Sequence, residues 1–195
     1  INYDNEPYRE VYKLYLMHTC FSLISRMWEM SIVLLTAQVS NNSLTLVAMS
    51  GFLSSLSLFL FMPSIGSWLD RTNRIVVVMI ALLSKLTFLT VTYILCAILL
   101  WKEAHNTATT QSLHFYLYAI PVLYACASLS FSAITQSIEK DWLVVLSNGN
   151  SSWLTSTNSV MSQIDLAASA LGPAITGIIM SFTSYSFSAL LFLIL

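Results

Sequence analysis

Five long apolar runs follow one another along the chain, separated only by short polar connections. A helix needs about 20 such residues to cross a hydrocarbon layer of roughly 30 Å, and each run meets that length. Composition agrees, because 56% of the residues are hydrophobic and only 9% charged, with a mean hydropathy of +0.74. No water-soluble domain of this size has such a balance, so the expected fold is an all-α polytopic membrane protein. The formal charge of -1 points to neither nucleic acid nor an acidic partner. Cys20, Cys96 and Cys126 all lie inside apolar runs, with no Cys-x-x-Cys spacing, and read as core thiols rather than disulfides or metal ligands.

The expected helices cover about Leu14–Ala37, Leu44–Trp68, Ile75–Leu100, Leu113–Ile138 and Trp153–Ser181, with the start of a sixth from 185. Ser40-Asn41-Asn42 closes the first, Pro63 is expected to kink the second, and Gly172-Pro173 is expected to break the fifth. The whole of 1–195 reads as one transmembrane half-domain, and the incomplete last run reads as a fragment whose C-terminal half is absent. No signal peptide is expected before the first span. Arg9, Lys13, Arg71, Arg74 and Lys140 fall on one side of the membrane and Lys102 on the other, which makes the first side cytoplasmic. Asn41 and Asn150 match the Asn-x-Ser pattern, but neither is placed for glycosylation.

Between the second and third runs lies Gly66-Ser-Trp-Leu-Asp70-Arg71-Thr-Asn-Arg74, which fits Gly-x-x-x-Asp-Arg-x-x-Arg. A tight charged turn in this position resembles the signature loop of the major facilitator superfamily of transporters. Gly66 is expected to allow close backbone approach. Asp70 is expected to cap the next helix, and Arg71 and Arg74 supply the cytoplasmic bias. A solvated hairpin of any multi-helix membrane protein is the plainer reading.

Polar residues inside membrane spans are costly and normally face a cavity or a partner. His18, Ser22, Ser25 and Glu29 recur along helix one at steps of four, three and four, and Asn158, Ser162, Asp165 and Ser169 repeat the pattern on helix five. Both stripes are expected to look into a common cavity near the midplane, where transporters bind substrate. Oxygen ligands with one nitrogen suit a divalent first-row cation. On one reading Glu29 ligates it; on the other, Arg26 three residues earlier neutralises Glu29 within the helix. Asp165 has no basic neighbour in sequence, which favours ligation there. Lys85 is expected to pair with either carboxylate, as an interior salt bridge or as part of the site. His18 reads as a packing or gating residue.

His18, Arg26-Met27-Trp28, the loop Gly66 to Arg74, Asp141-Trp-Leu-Val-Val145, Ile164-Asp165 and Pro173, taken in order, resemble the ferroportin family of iron-exporting solute carriers within the major facilitator superfamily. The resemblance runs through most of the chain and implies the N-terminal six-helix bundle, with about five complete helices, of a twelve-helix fold. It implies export of ferrous iron from the cytoplasm across the plasma membrane by alternating access, with the lipid bilayer and a C-terminal transporter half as partners and no nucleic acid. Fe2+ is then cargo, and no cofactor is implied. The family's first-half metal site maps onto Ser25, Glu29 and Asp165; here a hydroxyl replaces its first acid and Glu29 its histidine. The cytoplasmic gate maps onto Asp141 and Asn158, and two basic residues of many animal members become Ser162 and Gln163. A second metal site and the hepcidin docking surface belong to the other half. Transport of another solute, or a diverged membrane protein without transport, are the alternatives. An enzyme is not expected, because no nucleophile–base set, phosphate loop or cofactor motif occurs.

The loop charges predict opposite sides for single cysteines introduced as Thr72→Cys and Asn106→Cys. Membrane-impermeant thiol labelling in sealed cells or vesicles should reach Asn106→Cys from outside and Thr72→Cys only from the cytoplasmic face. Labelling of both from one side would sink the topology.

Overall fold

A computed structural model describes residues 6–40, 43–104, 110–138, 143, 147 and 149–194. Its helices are α1 (Glu6–Val39), α2 (Leu44–Arg71), α3 (Arg74–Ala104), α4 (Thr110–Gln136), α5 (Ser151–Phe182) and α6 (Tyr185–Ile194). Five are long and apolar enough to cross a membrane. A helix satisfies its own backbone groups, which is the condition for spanning hydrocarbon with no water to hydrogen-bond. Large apolar side chains such as Phe59 and Phe182 point outward, as expected of a surface that meets acyl chains. The all-α architecture is the one anticipated from the apolar runs.

Local signals set the helix ends. Ser43 caps α2 by accepting from the Thr45 amide at 3.4 Å, and Asn150 caps α5 by accepting from the Trp153 amide at 3.1 Å. In the signature loop the cap differs from expectation. Asp70 lies in the last turn of α2, and the Ile75 amide instead donates to the Asn73 side chain at 3.2 Å. Asn73 immediately precedes α3 and has the short acceptor that reaches the second amide of the helix. Nothing approaches within 4 Å of where a Cβ on Gly66 would stand, so no close contact is made there. Only Gly149, at φ +82°, takes the left-handed backbone among the described glycines, in the turn before α5.

Helix α5 continues unbroken through Gly172-Pro173. Proline removes one hydrogen-bond donor, but the neighbouring helix holds this segment in place. Gly172 sits against α1 so closely that a Cβ would lie 2.6 Å from Arg26 Cβ. One turn on, the Thr176 hydroxyl donates to the Met27 carbonyl at 3.3 Å. Residues 172 and 176 thus meet 26 and 27, and the two helices run parallel. Small residues let membrane helices approach in this way.

Helix α4 packs on both α2 and α3, through Ser54 to Ser128 at 2.8 Å and Ser84 to Ser130 at 3.1 Å. Two apolar clusters result. One holds Ile32, Leu35, Tyr93, Leu99, Ile120 and Phe192; the other holds Leu69, Val77, Ala81, Ala133 and Ile134. A polar layer contributed by α1 and α3 lies between them.

Gly172→Ala should destabilise the intact protein by about 1–3 kcal/mol, the cost of forcing a methyl into a packed contact. Gly177→Ala, where the Cβ meets open space, should be neutral or gain up to about 1 kcal/mol from helix propensity. Equal thermal unfolding midpoints for the two variants would refute the close α1–α5 contact.

Candidate functional site

Helix α1 carries its polar residues to two different neighbours. His18 and Ser22, both buried, face α5, where the Ser22 hydroxyl donates to Asp165 Oδ1 at 2.5 Å. His18 Nε2 lies 3.1 Å from the same oxygen and 3.5 Å from Ser22 Oγ. Two side chains therefore converge on one carboxylate oxygen. Asp165 keeps 34% of its side-chain surface accessible, while Oδ1 itself is engaged by both neighbours.

One turn further along α1 the surroundings change. Ser25 faces α3 and accepts from Lys85 Nζ at 3.0 Å. Lys85 is only 4% exposed. Its ammonium stands 4.8 Å from the ring centres of Phe21 and Trp28 and 4.5 Å from that of Phe131. Phe21 and Phe131 stack on one another at 5.7 Å. Ser25, Trp28, Glu29, Lys85, Tyr124 and Phe131 line a small cleft of about 30 Å³, enough for roughly a single water.

Glu29 takes its ion pair from its own helix, Arg26 Nη1 to Glu29 Oε2 at 2.9 Å. Seven residues separate Ser22 from Glu29, which is about 10 Å along a helix axis. Asp165 and Glu29 therefore stand at different levels, and no single ion touches both in this conformation. Lys85 pairs with a hydroxyl and three rings rather than with a carboxylate within ion-pair distance. Among the described residues no group of three or more His, Cys, Asp and Glu side chains is placed to hold a metal.

The other expected residues are dispersed. Asn158, Ser162 and Ser169 are exposed on α5, with Ser169 donating to the Leu166 carbonyl at 2.7 Å. Asp70 and Arg71 are exposed at the end of α2. Asp141 and the side chain of Arg74 lie outside what the structure describes. The aromatic surround of Lys85 was missed by sequence reasoning, although Phe21, Ser25 and Trp28 share a helical face through steps of four and three.

The family model described as Ferroportin1 (FPN1) matches residues 8–195. Solute carrier family 40 member 2 of Arabidopsis thaliana is 35% identical over 193 residues, covering 95% of this chain and 36% of that protein. Its member 1 counterpart from the same plant is 33% identical over 191 residues, covering 94% and 35%. Ferroportin of Canis lupus familiaris is 29% identical over 177 residues, covering 88% and 30%. The chain spans about a third of the length of these relatives.

The geometry predicts coupling between Ser22 and Asp165. Ser22→Ala and Asp165→Asn should be non-additive in unfolding free energy by about 0.5–3 kcal/mol, as for residues in one hydrogen-bond network. Glu29→Gln and Asp165→Asn should add to within about 0.5 kcal/mol. The reverse pattern in a double-mutant cycle would place the two carboxylates together after all.

Proposed function

This chain belongs to the ferroportin family, and on that footing we propose that it forms the N-terminal bundle of an exporter carrying ferrous iron out of the cytoplasm by alternating access. The observation that carries this reading is the convergence of His18, Ser22 and Asp165 across the α1–α5 seam. A carboxylate with a neutral imidazole suits a first-row divalent ion better than calcium or magnesium, which prefer oxygen alone. Two strong donors and a hydroxyl leave further coordination positions to water. Such a site holds its ion loosely enough to release it, as transport requires and resident metal binding does not.

Binding would displace the Ser22 hydroxyl from Asp165 Oδ1, and His18 Nε2 would turn from the carboxylate to the ion once its proton had passed to Nδ1 or to water. Asp165 is the principal ligand in this scheme because it alone brings a full negative charge to the seam. Glu29 and Ser25, at the next level of α1, contribute less to it than the family resemblance implies. Asp70, exposed at the cytoplasmic end of α2, and the loop that follows are assigned a gating role, together with Asp141 and Asn158. Export to the outside of the cell places the working protein in the plasma membrane, with a C-terminal half completing the pathway. The role is transport, not catalysis.

Iron efflux from loaded cells expressing the full-length protein tests the reading. Asp165→Ala should abolish efflux at unchanged surface expression, and Asp70→Asn should alter its rate with folding intact. Wild-type efflux in Asp165→Ala would remove the metal-site reading. Unchanged transport in Asp70→Asn would remove the gate alone.

A further inference from the structure

An ammonium group buried among three aromatic faces and a hydroxyl is itself a bound cation. Lys85 Nζ lies 3.0 Å from Ser25 Oγ and within 4.8 Å of the centres of the Phe21, Trp28 and Phe131 rings. The electron-rich faces of the rings attract a cation, more strongly where water is excluded. Glu29 lines the same cleft and is itself bonded to Arg26 at 2.9 Å. Hydroxyl, carboxylate and ring faces together form a cation site, and its occupant is supplied by the chain.

We propose that Lys85 is a tethered cation that fills this site and so denies Ser25 and Glu29 to a transported divalent ion, confining that ion to the level of Asp165. The charges decide the matter. At the Glu29 level two cationic side chains, Lys85 and Arg26, face one carboxylate, and a divalent ion arriving there meets net repulsion in a low-dielectric setting. At the Asp165 level the carboxylate faces a serine hydroxyl and an imidazole rather than a lysine and an arginine. One helix thus presents two sites of the same general chemistry, one occupied from within and one open to exchange. The exposures match, with Lys85 at 4% and the Asp165 side chain at 34%.

The inference rests on the assignment of the transported ion to Asp165, and its test keeps the two apart. Lys85→Met retains a flexible apolar side chain of similar length that suits an aromatic surround while deleting the charge. In the purified full-length protein, calorimetric titration with Mn2+ should show one more binding event in Lys85→Met than in the parent. That event should survive Asp165→Ala and disappear with Glu29→Gln. No added event in folded Lys85→Met overturns the proposal, as does an added event that ignores Glu29→Gln. If instead Asp165→Ala removes no Mn2+ binding event from the parent while Lys85→Met still gains its event, the transport-site reading fails and this one stands.

Should Lys85→Met not fold, Lys85→Ala supplies the same test through n-propylammonium, the chemical fragment that the substitution removes. Saturating n-propylammonium should restore folded protein or raise its unfolding midpoint by about 1–2 °C. Neutral n-propanol should not. Equal recovery with the alcohol shows that the cleft recognises shape rather than charge, and either that result or no saturable recovery overturns the proposal.

Discussion

An ammonium in a membrane bundle carries a desolvation penalty of several kcal/mol after relaxation, and the way Lys85 offsets it governs how three helices meet. Phe21, Ser25 and Trp28 come from α1, Lys85 from α3 and Phe131 from α4. A desolvated cation over an aromatic face is stabilised by about 2 kcal/mol or more, and a hydrogen bond to a charged donor adds about 1.5–3 kcal/mol. None of these contacts survives a rotation of α1 by half a turn or a slip of α3 by one residue. The ammonium therefore fixes both register and rotation at one level. The two apolar clusters on either side of that level are free to be ordinary cores, closed by Tyr93 and Phe192 in one and by Val77 and Ile134 in the other.

With α1 held on that side, its opposite flank is committed to α5. Gly172 against Arg26 and Thr176 against the Met27 carbonyl set the depth of the seam. Asp165 lies seven residues before Gly172, about two helical turns, and this spacing delivers its carboxylate to Ser22 and His18. Trp28 ties the same helix to α6 by donating to the Phe192 carbonyl at 3.1 Å. Helix α1 thus touches a different neighbour on each part of its surface, and a polar residue's role depends on which part it occupies.

Periodicity made much of this legible. The apolar runs locate the membrane-long helices among the described residues, and the polar stripes single out α1 and α5, the helices whose side chains meet at Asp165. Helices extend beyond the expected ends, α1 from Glu6 and α3 to Ala104, because polar residues flanking an apolar run still continue a helix into the interface. What periodicity does not specify is the neighbour. At about 100° per residue, His18, Ser22, Ser25 and Glu29 spread over roughly 60° of the helix surface. That arc is wide enough to straddle two partners, so a stripe read as one cavity face divides between α5 and α3. The same limit applies to Gly172-Pro173. A break follows from the local rule, and only the tight approach to Arg26 explains why the glycine is there and the helix runs on.

The division of α1 between two partners also separates what must stay still from what must open. A site that loads and unloads an ion needs access for water and for the ion. At the Lys85 level that access would require parting three helices and exposing an uncompensated ammonium to hydrocarbon. At Asp165 the bundle leaves 34% of the side-chain surface uncovered, and the contacts an ion must displace are one hydroxyl and one imidazole. Rearrangement there leaves Gly172 and Thr176 packed above it and the ammonium undisturbed. The chain thus combines a packed level filled by its own cation with a more open one a short distance along the same helix, and the first supplies the frame against which the second can act.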